Sequence, residues 1–321
     1  MSPEDQLHRL LDQAVEDVEP GFGLDRIRAR TARRPRRGWA WGAGGAALAT
    51  AATVAVVVAL NGGPGTAGAE PGPAASSAAS GPSSEPDRAV YFVADTGVGP
   101  RLVPELHDPV PESAALDEAV AAAVVGRAAD PDYDTLWPGG TVMERAQLNA
   151  GVLSVDLSGP VVERPSGMSS ATAALAVQQL VWTAQAAADS RVPVTFLVDG
   201  RPTATLLGEP TKRPVEASAP DDVIAPVSVL TPGDGSAVSS PFTVEGTASA
   251  FEATVQWELT GADGGVVKKG FATAKECCTV SPYSFEVKAP PGNYTLTVHD
   301  EDVSGGEGNP QSEDTKRVTV R

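Results

Sequence analysis

The chain has 321 residues, and its 41 Asp+Glu against 24 Lys+Arg give a formal charge of −17. Such an acidic balance argues against a nucleic-acid partner, because phosphate binding needs a basic surface. Three His and two Cys leave little material for a zinc site or a His-dependent catalyst, and the length suits two modest domains with connecting segments.

The charge is unevenly spread. Leu7, Leu10, Leu11, Ala14, Val15 and Val18 follow helical spacing, so a short amphipathic helix is predicted, capped by Ser2 and stopped at Pro20-Gly21. Residues 26–37 then carry seven Arg and no acid, and residues 38–61 carry no charge at all. Beyond residue 61 there are 34 acidic and 16 basic side chains, a net of −18. This layout predicts residues 1–37 in the cytoplasm, with Arg33, Arg34, Arg36 and Arg37 setting membrane orientation, and a transmembrane helix over 38–61. From Trp39 to Asn61 a helix would span about 34 Å, against a hydrocarbon core of about 30 Å. Ala67-Gly68-Ala69 would suit signal-peptide cleavage, but the segment before the apolar run is long for a signal. Residues 62–87 are nearly all Gly, Pro, Ala, Ser and Thr and read as a disordered linker.

From Arg88 the composition becomes globular. Strands are predicted at Ala89–Val93, near Leu102-Val103, at Thr141–Met143, at Val152–Leu157 and at Pro193–Val198. Helices are predicted from about Glu112 to Val125, stopped by Gly126, and from Ser169 or Ser170 to about Ala188. That order describes an α+β domain over 88–213, a mixed sheet with two helices. Gly139-Gly140-Thr141, Val155-Asp156-Leu157-Ser158, Gln179-Leu180-Val181-Trp182-Thr183 and Val198-Asp199-Gly200 stand in this order. In that order they resemble the GerMN domain of sporulation, spore-germination and actinobacterial envelope proteins. The resemblance implies envelope assembly and no established catalytic residues. High Ala, Arg and Pro usage also fits an actinobacterial source.

Residues 214–222 hold Pro214, Pro220, Asp221 and Asp222 and read as a second linker. Over 223–321 only strands are predicted: Val227–Leu230, Phe242–Gly246, Ala253–Leu259, Val266–Phe271, Tyr283–Val287, Asn293–Val298 and Arg317–Val320. Seven short strands with close turns suggest an all-β immunoglobulin-like sandwich. Ser240-Pro241-Phe242-Thr243-Val244-Glu245-Gly246 and Phe251-Glu252-Ala253 before the Trp257 strand resemble the immunoglobulin-like domain of bacterial spore germination proteins. Alternation puts Val255, Trp257 and Leu259 in the core and Gln256 and Glu258 on the outside.

Candidate sites are sparse. Cys277 and Cys278 are adjacent, and a vicinal disulfide, unpaired thiols and a bridge to another molecule all remain open. Asp130-Pro131-Asp132-Tyr133-Asp134 begins like a calcium loop, but Thr135 stands where Gly is needed, so it reads as a solvated loop. His107, with Asp108 and Glu105 near it, could hint at a base or a metal ligand but, lacking a second nitrogen ligand, reads as a surface residue, and Asp300, Glu301 and Asp302 form a cation candidate. No catalytic residue, metal site or cofactor is assigned. The expectation is a non-catalytic, single-pass membrane protein with its bulk outside, binding an envelope protein or cell-wall component. The alternatives are a cell-wall hydrolase or its regulator, and a transmembrane signalling protein docking a cytoplasmic protein through residues 1–37.

Overall fold

The computed structural model describes residues 88–300 and 311–321. The readings for residues 1–87, including the membrane span and the Arg cluster, and those for Glu301 and Asp302 lie outside the described residues. Among the described residues no helix is long and apolar enough to cross a membrane.

The first region begins with a hairpin, β1 (Arg88–Thr96) and β2 (Gly99–His107), in which Phe92 faces Val103. Helix α1 (Glu112–Val125) follows and ends at Gly126, which takes a left-handed φ of 67°. An added Cβ there would lie 3.0 Å from the Thr135 side chain, so this position favours glycine both conformationally and sterically. Next come β3 (Val142–Asn149) and β4 (Val152–Ser158), joined through Ala150 and Gly151 at φ 48° and 78°. Helix α2 (Ser170–Ala187) then carries the chain to β5 (Val194–Val198), which pairs parallel with β4. The Ser169 side chain accepts the Thr172 amide and caps α2. Two-residue strands β6 (Arg201–Pro202), β7 (Thr205–Leu206) and β8 (Glu209–Pro210) close the region. The sheet order is β3-β4-β5-β6, mixed in direction, with α1 and α2 against it and Leu153, Val155, Leu157, Leu180 and Phe196 in the core.

The second region is an immunoglobulin-like sandwich of eight strands. These are β9 (Val227–Thr231), β10 (Ser236–Val238), β11 (Phe242–Ala248), β12 (Thr254–Gly261), β13 (Val266–Thr273), β14 (Ser281–Val287), β15 (Gly292–Asp300) and β16 (Glu313–Val320). One sheet runs β10-β16-β15-β12-β13 and the other β14-β11-β9. Val255, Trp257 and Leu259 are buried at 0%, 6% and 0% exposure, while Gln256 and Glu258 are half-buried, as strand alternation requires. Trp257 stacks on Phe285 with ring centres 5.1 Å apart. Its indole lies over Gly270, where an added Cβ would come 2.8 Å from the ring. The β10 strand, absent from the sequence reading, has only three residues and pairs parallel with β16.

Residues 214–222, read as a linker, are stitched to the first region instead. Val215 exchanges hydrogen bonds with Val194 at 2.9 and 2.8 Å. Gln178 on α2 donates to the Glu216 carbonyl and accepts the Ser218 amide. A single helical turn, Pro220–Val223, then leads to Ile224, which bridges Leu102 of β2. The segment therefore satisfies its backbone groups on the first region's surface and holds the sandwich close to it.

Candidate functional site

Among the described residues, the densest group of buried ionisable side chains lies where the two regions meet. Strand β16 alternates, so Val318 and Val320, which are core residues, fix Asp314 and Lys316 on the same inward face. The connection from α1 to β3 brings Asp130 and Tyr133 to that face, and β2 brings Glu105 and His107 beside them. The Lys316 side chain is only 3% exposed, and Asp130 and Asp314 are 2% and 7% exposed.

The Lys316, Asp130, Asp314 and Tyr133 side chains partner one another with defined geometry. Lys316 Nζ donates to Asp130 Oδ2 at 2.5 Å, to Asp314 Oδ1 at 2.9 Å and to the Tyr133 hydroxyl at 2.5 Å. It also sits 4.2 Å from the Tyr133 ring centre, a cation–π contact. The Tyr133 hydroxyl donates to Asp314 Oδ2 at 2.8 Å, and the Val229 amide of β9 donates to the same oxygen at 2.6 Å. Glu105 accepts the Ala129 and Asp130 amides at 3.0 Å and pairs with His107 Nε2 at 2.9 Å. Thr315 reaches Asp132, adding a rim contact.

Burial pushes the Asp314 carboxyl above the usual aspartate range, against the opposing pull of Lys316 and its hydrogen bonds. Burial and then the Asp314 charge push the Tyr133 phenol well up. Burial alone would raise Glu105, but the hydrogen bonds from His107, Ala129 and Asp130 outweigh it and hold the carboxyl low.

Two sequence readings are corrected here. Asp130 and Tyr133, read within a solvated loop, are buried. His107, read as a surface residue, is half-buried against the buried Glu105. The chemistry follows from the pairing: the Lys316 ammonium spends its three protons on three oxygens, so the cluster works as a clasp between regions. It resembles a buried salt bridge, whose worth lies in geometry as much as in net stability.

The other candidates stand apart. Cys277 and Cys278 are exposed between β13 and β14, and the structure bonds their sulfurs to each other. Asp300 accepts the Ser312 amide at 2.9 Å. Among the described residues no group of three or more His, Cys, Asp or Glu is placed to hold a metal ion. A separate cavity of about 330 Å³ opens between β1, β2 and α1, floored by Val90, Ala115 and Ala119 and rimmed by Arg88, His107 and Arg127.

An α+β region clasped to a β-sandwich defines a two-domain protein with two separate cores. Comparison with known proteins gives each domain its class. Residues 89–204 match the family model described as "Sporulation and spore germination", and residues 226–307 match the one described as "Immunoglobulin-like domain of bacterial spore germination". The chain thus carries a sporulation and spore germination domain followed by an immunoglobulin-like spore germination domain. Among solved structures it is similar to an engineered protein, at 14% identity and TM-score 0.26, covering 46% of this chain and 36% of that one. It is similar also to the tandem GerMN domains of the sporulation protein GerM from Bacillus subtilis, at 12% identity and TM-score 0.33, covering 64% and 62%. A putative lipoprotein from Clostridium perfringens matches at 14% identity and TM-score 0.30, covering 41% and 87%. The chain therefore spans less than two thirds of the length of the first two. No curated protein matches.

Proposed function

We propose that the chain is a non-catalytic protein of the cell envelope, acting through binding or assembly in sporulation, germination or cell-wall processes. Residues 38–61 anchor it in the membrane, residues 1–37 stay in the cytoplasm, and the two domains stand outside, facing an envelope protein or a cell-wall component. The observation that carries the non-catalytic part is the closed pairing of the clasp. Lys316, Asp130, Asp314 and Tyr133 satisfy one another, so the richest ionisable cluster is committed to holding the domains together. The two germination-class domains support the biological setting. The uncharged run after Arg33, Arg34, Arg36 and Arg37 supports the anchoring and its direction.

Protease treatment of intact spheroplasts tests the arrangement. The account expects the two domains to be digested and residues 1–37 to be spared. A mature, secreted chain beginning at Glu70 would contradict it.

A further inference from the structure

A β-sheet edge exposes a row of unpaired backbone amides and carbonyls, and folded proteins usually cover, shorten or interrupt such edges. This chain does so at almost every edge among its described residues. Strand β3 is covered by α1, whose Asp117 accepts the Ala146 amide at 2.6 Å. At the other end of that sheet β6 has two residues, one of them Pro202. In the hairpin, β1 bonds Asp134 through Val93, and β2 bonds Ala225 through the Leu102 carbonyl. In the sandwich β9 is buried over Val227, Ser228 and Val229, and its Val229 amide is taken by Asp314. Strand β10 has three residues, and β14 carries Pro282.

Strand β13 is the longest of these edges with no helix packed against it. It ends its sheet, runs for eight residues, contains no Pro, and is exposed along most of its length. Val266, Val267 and Phe271 are 53%, 50% and 74% exposed. Its charge is equally distinctive. In a chain of net −17, residues 264–275 carry Lys268, Lys269 and Lys275 and no acid. A shallow hollow of about 460 Å³ lies beside it, lined by Gln256, Trp257, Lys269 and Phe271 among others.

We propose that β13 takes an extended, acidic segment of a partner protein as an added strand. Main-chain pairing would supply the attachment and the side chains the selectivity. The lysines decide the occupant. Two copies of β13 paired antiparallel about a twofold axis would bring Lys268 and Lys269 against their own copies, and like charges facing across strands are destabilising. An acidic strand turns the same lysines from a guard into a selector. Lys269 and Phe271 share one face by alternation, and a bulge at Val267 breaks the pattern before them. The matching segment therefore carries an acidic residue with an apolar one two positions away.

This inference rests on the reading of the chain as a binding protein, yet it fails separately: peptide binding is measured in vitro, whatever the membrane topology. The probes are two synthetic peptides of alternating apolar and polar residues, one with a central Glu and one with a central Lys, added to the full-length chain. Affinity is read by fluorescence anisotropy and protection by hydrogen exchange. The expected result is slowed exchange over 266–273 with the Glu peptide, no change in α2, and about tenfold weaker binding of the Lys peptide. The Lys268→Glu, Lys269→Glu double variant should reverse the preference. Because these side chains are exposed, the exchange pattern of α2 and β12 in the variant verifies that it is folded. Absence of protection over 266–273, an unchanged preference in the folded double variant, or self-association that protects β13 would each overturn the proposal.

Discussion

The two domains bury their polar groups by opposite rules. In β11, β12 and β16 of the sandwich polarity alternates, and the inward positions are apolar except for Asp314 and Lys316 at the clasp. In the α+β domain the central helix α2 is buried almost all round, and Gln178, Gln179, Thr183 and Gln185 are inside with the aliphatic residues. Each works as a stitch. Gln179 donates to the carbonyls of Tyr91 and Ala123 and accepts from Thr135, tying β1, α1 and the loop before β3 to α2. Thr183 accepts the Tyr91 amide, and Gln185 donates to the Val192 carbonyl. The first domain thus gains definition from fixed polar contacts inside, while the second relies on aromatic packing and leaves one edge open to a partner.

Two substitutions probe that contrast. Trp257→Ala removes the largest inward side chain of the sandwich, together with its stack on Phe285. It should cost about 3–5 kcal/mol, against no more than about 0.5 kcal/mol for Gln256→Ala on the adjacent position. Urea unfolding of the full chain gives both values, and equal costs would mean that the strand's faces are reversed. In the first domain, Gln179→Leu keeps the bulk and removes the stitches. Two carbonyls lose a donor inside the core, so the loss should be about 1–3 kcal/mol. A neutral or stabilising outcome would show that packing, not hydrogen bonding, organises α2 and would erase the contrast between the domains.

The unequal legibility of the two domains has the same origin. Alternation is a local signal, so Ala253–Leu259 displayed the burial of Val255, Trp257 and Leu259 directly. The turns at Ala150-Gly151 and Asp199-Gly200 were equally readable, because the positive φ they require selects such residues. The helical stripe on α2 understated its burial, since nothing in periodicity marks Gln179 as enclosed by β1 and α1. The clasp is masked for a further reason. The strand pattern is plain only from Arg317, whereas β16 starts at Glu313. Extending the alternation of Val318 and Val320 back by two and four residues places Lys316 and Asp314 inside. That signal was present in the sequence. The partners Asp130 and Tyr133, more than 180 positions away, could come only from the fold.

The clasp should make the two domains one cooperative body, with the 214–222 segment packed rather than slack. Lys316→Ala would leave Asp130 and Asp314 buried without their cation, a change that costs about 3–5 kcal/mol in comparable buried pairs. Hydrogen exchange of the full chain across a urea series tests the claim most directly, reading α2 for the first domain and β12 and β15 for the second. In the native chain all three segments should lose protection together, and in Lys316→Ala the sandwich strands should open at a different urea concentration from α2. Separate transitions in the native chain, or a variant that behaves identically to it, would contradict the account.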